Sequence, residues 1–563
     1  MMKFKTICLT FLSIFALISP LKAEVEEKKF FLNKKVTLKE TIDEKKNEEL
    51  IANPFGLKLY KKIDPKNLSQ KKHCDVLRHL KVPATPRRLD TYMRPEFILA
   101  RKNNDQLLSA ISNNDSRQKV YESGIDLYGC YALDYAADLD SNLSSDERIA
   151  GEGPHQYWQA NSQLILGLDI FSRFVSDDWT GGQLHFSFTW PEALNSGPLY
   201  SYGNTLNPAG LGTRQYHGYF YTDVGRSRDV NTDMQGPRVF EYWFQQGWGK
   251  NNGLNYWRIG ATNPWITFNK SIVSGLHGFW AFNEPGIIGT TPSTANGPLI
   301  TTAPMGISLA REVGNNLHLK GMIMNGYYDP SGGLDNKRGL EQYWDLDEYG
   351  LEIIYEATYR GGTYSQDKTN FEKPWFVRLG GQLHTGHSLS NTFTNDGEYF
   401  FPTAENPEGY PNDEREKLWG NSQYYFMAEK MIYREAGSYS RGLTSWFKAK
   451  YSPWERRGST TKGLYGGLAY EGIGKRDKDI LYLGYAHMLV NEGVLERSRN
   501  QSLCTEVVGC EVSDFQGAWE IGYNAQIKPY LFITPKIYYV VNPNVRKDLG
   551  NILTAGVEFR LSY

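Results

Sequence analysis

LTAGVEFRLSY, residues Leu553 to Tyr563, is the stretch whose reading decides the fold. Leu553, Ala555, Val557, Phe559, Leu561 and Tyr563 fall on one face of a strand, and Thr554, Gly556, Glu558, Arg560 and Ser562 fall on the other. Successive side chains of a strand point to opposite sides, so one face here seeks hydrocarbon while the other, holding an acid and a base, seeks water. A barrel wall in a membrane asks for that pattern. A half-buried strand of a soluble sandwich gives the same alternation, so the neighbouring segments have to decide.

They read the same way. Trp519, Ile521, Tyr523, Ala525 and Ile527 alternate with Glu520, Gly522, Asn524 and Gln526. After a turn at Lys528-Pro529, Ile533, Ile537, Tyr539 and Val541 alternate with Thr534, Lys536 and Tyr538, which makes a hairpin. Upstream, from Gly124 onward, strand-sized segments of period two follow one another between Gly, Asn, Asp and Pro clusters, with almost no helical periodicity. The count of candidates is roughly 16 or 17, and closure of an up-and-down barrel favours an even number, so about 16 strands are expected. The expected class is therefore all-β, a transmembrane antiparallel barrel over residues 124–563. Connections of very unequal length fit short turns on one side and long loops on the other, the long ones expected around Asn263 to Pro304, Thr385 to Trp419 and Val490 to Phe515.

The tail EIGYNAQIKPYLFITPKIYYVVNPN (Glu520 to Asn544) followed by LTAGVEFRLSY resembles the C-terminal end of the carbohydrate-selective porins of Gram-negative outer membranes, the OprB-type family. GGQLHFSFTW (Gly181 to Trp190), FEYWFQQGW (Phe240 to Trp248), WRIGATNPW (Trp257 to Trp265), LKGMIMNGYYDP (Leu319 to Pro330) and GLTSWFKAKYSPW (Gly442 to Trp454) extend the resemblance. Each segment is degenerate alone; their order and joint spacing carry the weight. The resemblance implies an outer-membrane barrel and a closing aromatic, Tyr563, presented to the barrel insertion machinery, with homo-oligomerisation open.

Residues 1–23 read as a secretory signal: Lys3 and Lys5 precede the apolar run Ile7 to Ile18, and Ala23 precedes Glu24. That run is about 12 residues, and nothing later approaches the roughly 18 of a spanning helix. The whole chain has 62 Lys+Arg and 63 Asp+Glu, so loss of Lys3, Lys5 and Lys22 leaves about −4. No basic excess suits nucleic acid. Residues 24–123 form a charged extension, ending in a short helix expected near 105–122. It includes a basic, proline-punctuated stretch with Lys71, Lys72, Arg78, Lys81, Pro83, Pro86, Arg87, Arg88 and Pro95. Cys504 and Cys510, in one short loop of an exported chain, are the expected disulfide, with Cys74 and Cys130 as a second pair.

If the apolar sets face lipid, the alternate sets line a lumen. Its candidates are Asp169, His185, Glu241, Arg258, Lys320, Glu352, Arg378, Lys448, Glu520, Lys536, Glu558 and Arg560, accompanied by Glu348, Glu356 and Lys450. Acids and bases nearly balance, whereas an ion-selective pore carries a one-sided ring. A wall of acids, bases, amides and aromatics suits a neutral solute rich in hydroxyls, so sugars are the expected cargo and outer-membrane lipid the expected surroundings. Many of these charges serve equally to pair across the wall and fix strand register.

No nucleophile elbow, zinc-protease helix, P-loop or dinucleotide fingerprint is present, and no enzyme activity, cofactor or metal is expected. His185, His217 and His384 are isolated in sequence and read as polar lining. Two readings from other classes compete: a secreted β-rich carbohydrate-binding protein or glycoside hydrolase, and a structural barrel that tethers the envelope through its extension.

Overall fold

The computed structural model describes the strands between Ile125 and Ser562 with their flanking turn residues, and the statements below concern those residues. Sixteen strands occur in chain order. The first eight are β1 (Ile125–Asp138), β2 (Trp158–Phe171), β3 (Gly182–Asn195), β4 (Arg238–Gly247), β5 (Tyr256–Ala261), β6 (Met305–Val313), β7 (Leu317–Asn325) and β8 (Leu351–Gly361). They continue as β9 (Trp375–Thr394), β10 (Arg415–Arg434), β11 (Gly442–Tyr451), β12 (Thr460–Ile473), β13 (Arg476–Val490), β14 (Phe515–Lys528), β15 (Leu531–Val541) and β16 (Ile552–Ser562). A 3-10 turn, Ser172–Phe174, follows β2.

Each strand pairs antiparallel with its sequence neighbour, and β1 pairs with β16 to close the barrel. Closure leaves no unpaired edge, which a spanning sheet requires because lipid offers backbone groups no partner. The alternation read from the sequence fixes the faces. Phe188, Ile307 and Leu379 point outward and are 52%, 58% and 59% exposed, whereas Glu520, Glu558 and Asp169 point inward and are 0%, 1% and 0% exposed. An apolar exterior of this kind fits hydrocarbon and contradicts a soluble lectin or hydrolase, whose apolar face would be the buried one.

The end at which the chain enters β1 carries the short connections, 314–316, 474–475 and 529–530 among them; the other end carries 196–237, 262–304 and 491–514. One expected loop is corrected. The loop expected from Thr385 to Trp419 is shortened to 395–414, because β9 and β10 are 20 residues each and extend through 385–394 and 415–419. About 9–11 residues suffice to cross a membrane, so this hairpin projects beyond it. Its tip is held by Thr394 N donating to Glu398 O (2.8 Å), Asn395 N to Glu414 O (2.9 Å) and Arg415 Nε to Ser390 O (2.7 Å). The signal segment, the 24–119 part of the extension, Cys74, Cys504, Cys510, Glu348, His217 and Tyr563 lie outside the described residues.

Glycines in the wall make room for large rings. Tyr425 of β10 is opposite Gly380 of β9, and a Cβ there would stand 2.7 Å from its Cε1. Gly522 of β14 accommodates Tyr482 of β13 in the same manner, with Cε1 again at 2.7 Å. Both rings lie flat on the inner wall and are buried. The aromatic face covers the backbone that glycine leaves bare.

Candidate functional site: the inward face of the barrel

Period-two alternation, carried around the barrel by the strand register, puts eleven of the twelve expected lining residues on the inner wall. Arg560 occupies the position opposite Phe532 and Ala132, and its side chain lies outside the described residues.

On β2 to β5 the inward residues form one connected group. Asp169 Oδ1 accepts from Gln183 Nε2 (2.6 Å) and lies 2.9 Å from His185 Nδ1. The other ring nitrogen of His185 is 3.2 Å from Ser187 Oγ and 3.8 Å from Glu241 Oε2. The isolated histidine of the sequence is therefore set between two carboxylates. Its ring stacks on Trp243 of β4, centroids 4.5 Å apart and planes 14° from parallel. Arg258 of β5 places its guanidinium 4.0 Å from the Trp243 centroid and 5.1 Å from that of Tyr256. Gln245 Oε1 accepts from both Arg258 Nε (3.1 Å) and Nη2 (2.8 Å). Trp243 is thus engaged by its neighbours, with Nε1 buried and without a partner.

On β7 to β11, Glu356 is the hub. Its Oε1 meets Lys320 Nζ at 2.8 Å and Arg378 Nε at 3.3 Å, and its Oε2 accepts from the Tyr425 hydroxyl at 2.8 Å. Arg378 Nε also donates to Thr358 Oγ1 (2.9 Å). Glu352 accepts from Gln382 Nε2, and Gln382 Oε1 accepts in turn from Gln423 (3.4 Å), an amide chain crossing three strands. Lys448 and Lys450 follow on β11, both buried, opposite Met427 and Tyr425. On β13 to β16, Tyr482 donates to Glu520 (2.9 Å), Asn524 to Thr534 (2.8 Å), and Lys536 Nζ lies 3.6 Å from Glu558.

Several inward groups were not foreseen. Glu429 of β10 and Glu471 of β12 are buried on the lumen side, as are Tyr425 and Tyr465. Their strands carry aromatic or aliphatic residues on both faces, which hides the period of two. With them the most deeply buried inward charges are eight carboxylates (Asp169, Glu241, Glu352, Glu356, Glu429, Glu471, Glu520, Glu558) against six cations (Arg258, Lys320, Arg378, Lys448, Lys450, Lys536). The wall is mixed, with a small excess of acid.

The interior also has an apolar side. Met322, Met324, Ile354, Trp446, Tyr465, Tyr482 and Met488 make one buried cluster, joined by Phe268 of the 262–304 connection and Leu495 of the 491–514 connection. Phe268 N donates to Pro264 O (2.9 Å), and the Phe268 ring lies 5.2 Å from Lys320 Nζ. Two long connections therefore send an apolar side chain inward. Among the described residues no group of three or more His, Cys, Asp or Glu is arranged to hold a metal ion.

Residues 233–563 match the family described as carbohydrate-selective porin, OprB family. Porin B of Pseudomonas aeruginosa is 23% identical over 255 residues, which cover 38% of this chain and 55% of that protein. The chain thus spans about half the length of the curated relative it matches. The high-pH structure of Pseudomonas putida OprB aligns with a TM-score of 0.59 at 15% identity, covering 80% of this chain and 96% of the other. Its low-pH structure gives 0.43 at 12% identity, covering 80% and 95%. The high-pH likeness is one of fold.

Proposed function

The chain belongs to the OprB family of carbohydrate-selective porins, and from that premise we propose that it is an outer-membrane channel through which sugars diffuse passively into the periplasm. It does so without catalysis. The observation that carries the reading is the inner wall itself: eight carboxylates and six cations interleaved with amides, hydroxyls and indole or phenol rings. Carboxylates and guanidinium groups exchange hydrogen bonds with sugar hydroxyls, and ring faces pack on sugar C–H surfaces. Near-balance of charge removes the strong ion preference that a one-sided ring would impose.

In this reading the lining is Asp169, His185, Glu241 and Arg258 on one side and Lys320, Glu352, Arg378 and Lys448 on the other, with Glu520, Lys536, Glu558 and Arg560 completing the circuit. Residues 124–563 are the transporting unit and 24–123 an extension on the periplasmic side. Strand β16, apolar outward at Leu553, Val557 and Phe559, is the surface offered to the insertion machinery. Liposome swelling tests the proposal. Mono- and disaccharides should enter faster than amino acids and salts of similar size; equal rates across the panel refute sugar preference.

A further inference from the structure

The outer face of β10 to β13 carries cations that the barrel itself leaves unused. Strand alternation puts Lys417 of β10 and Lys462 of β12 outward and exposed, and neither has a hydrogen-bond or ion-pair partner among the described residues. The inward Lys320 and Lys536, by contrast, each meet a carboxylate. The halves of these four strands nearest the long connections, Lys417 to Tyr424, Phe447 to Tyr451, Thr460 to Gly466 and Gly484 to Val490, contain no Asp or Glu. An outward cation without a partner is costly within hydrocarbon and useful among headgroups, so its height on the wall decides its role.

Two aromatic levels mark where the hydrocarbon begins and ends. Tyr451 of β11 lies opposite Tyr424 of β10 on one side and Lys462 of β12 on the other, so the three share one level toward the long connections. Tyr433 and Tyr470, stacked with centroids 6.4 Å apart, mark the opposite level. From Tyr424 to Tyr433 the strand runs about 30 Å at roughly 3.3 Å per residue, or about 23 Å once tilted by about 40°, which matches the roughly 25 Å band of a membrane barrel. Lys462 therefore stands at the headgroup boundary. His487 is its diagonal neighbour, because Lys462 pairs with Leu489 and His487 with Leu464, a spacing of about 7–8 Å. The His487 ring stacks on Phe515 (centroids 4.6 Å), and its Nδ1 is 3.2 Å from the Tyr485 hydroxyl. When that hydroxyl donates to Nδ1, the ring proton sits on Nε2 as a further donor beside the lysine. About 15 Å beyond Tyr424 along β10, on the part that projects from the membrane, Trp419 is 64% exposed and Lys417 follows on the same side.

We propose that this face binds a phosphorylated glycolipid of the outer leaflet. One phosphate accepts from Lys462 and His487 at the boundary. Below it, Gly466 lies between Phe447 and Tyr485 in the register, and a Cβ there would meet nothing closer than 3.4 Å, so an acyl chain finds a shallow groove. Above it, the saccharide part rises along the projecting strand, with a sugar C–H face on Trp419 and a second anionic group at Lys417. Charge selects the occupant: two unpartnered lysines on a face free of acids attract an anionic headgroup and gain nothing from a zwitterionic one. The column of charge, ring and charge above the boundary selects a lipid whose headgroup extends well beyond its first phosphate.

The test is native mass spectrometry of the folded full-length chain in detergent, titrated with diphosphoryl lipid A carrying its inner-core sugars, with the same glycolipid dephosphorylated, and with phosphatidylglycerol. Folding of each variant is checked by heat-modifiable migration on gels. The parent should bind the phosphorylated glycolipid about tenfold or more tightly than either of the others. Lys417→Gln/Lys462→Gln should lose that advantage, and Trp419→Ala should lower binding of the glycolipid while leaving phosphatidylglycerol unchanged. Lys430→Gln, on the same outer face but near the Tyr433 level, should bind as the parent does. Equal binding of the phosphorylated and dephosphorylated forms overturns the proposal, as does a double variant that binds like the parent. Phosphatidylglycerol bound as tightly as the glycolipid also overturns it, leaving unspecific attraction of anionic lipid. If the double variant does not fold, Lys462→Gln alone and the comparison of the three lipids on the parent decide. The inference needs only the outer-membrane setting: a double variant that loses the lipid and keeps its swelling rates supports it and leaves the sugar reading untouched.

Discussion

Replacing Gly522 with alanine tests whether glycine is in the wall to admit a ring. The added Cβ would lie 2.7 Å from Tyr482 Cε1 and closer still to its Cζ and hydroxyl, so the whole side chain has to swing. Tyr482 is 1% exposed and its hydroxyl donates to Glu520, itself fully buried, at 2.9 Å. Moving the ring loses a hydrogen bond to a charged group, about 1.5–3 kcal/mol, and overpacks a buried site, about 1–3 kcal/mol. Against this stands the roughly 0.5–1 kcal/mol that alanine gains over glycine in a strand. The net expectation is a loss of about 3 kcal/mol, toward the large end of single substitutions. Urea unfolding of the folded barrel, followed by tryptophan fluorescence and extrapolated linearly, gives the number. The decisive comparison is the same substitution made on Tyr482→Ala. With the ring gone, Gly522→Ala should turn from destabilising to stabilising by about 0.5–1 kcal/mol. An equal loss in both backgrounds refutes the steric account and assigns the glycine to backbone conformation.

Three other outcomes are expected. Glu356→Gln should destabilise the barrel by about 3 kcal/mol in the same assay, because it removes the carboxylate shared by Lys320 and Arg378; Glu352→Gln, whose described partner is the neutral Gln382, should cost less. Arg258→Gln should leave the barrel inserted, since Gln245 and Trp243 keep their positions on β4, and should weaken sugar-dependent block of ion current; unchanged block would remove Arg258 from the path. In the turn after β10, a hydrogen bond from Tyr470 and the Arg441 guanidinium hold the Glu435 carboxyl below its ordinary range. A depressed acid contributes stability above its unfolded-state pKa and loses it as pH falls through the folded one. The acid limb of the stability profile should therefore flatten in Glu435→Gln, and an identical profile would show that the turn is not linked to folding.

What could be read from the chain divides along a physical line. Faces were legible because alternation is local: Leu553 to Tyr563 assigns Glu558 inward with no knowledge of any other strand, and Glu558 is indeed buried on the lumen side. Partners were not legible, because they depend on register. His185 meets Asp169 on β2, Glu241 on β4 and the ring of Trp243, residues that no spacing rule connects. The long β9–β10 hairpin escaped for a different reason. GHSLSNTFT, Gly386 to Thr394, lies beyond the length a bilayer needs, so its apolar signal is broken, Leu389 and Phe393 alternating with His387 and Asn391, although the backbone remains paired with β10.

The same distinction explains why charge balance alone underdetermined the lumen. Counting inward acids and bases along the sequence gives a nearly neutral wall; the structure adds Glu429 and Glu471, while Glu348 and the Arg560 side chain lie outside the described residues. Register changes the distribution. Lys320, Arg378, Lys448 and Lys450 fall on β7 to β11 among the acids Glu352, Glu356 and Glu429, whereas Asp169, Glu241, Glu520 and Glu558 fall on the strands around the β1–β16 seam, with Lys536 between them. A solute crossing the lumen therefore meets a mixed side and an acid-bearing side, not an average of the two. A neutral sugar can exchange hydrogen bonds with both sides in one orientation, while the acid-bearing side attracts cations and repels anions. On this arrangement, moving one lysine from β11 to the seam, as Lys448→Ser with Asn524→Lys, leaves the net charge unchanged and should still weaken sugar preference in the swelling assay.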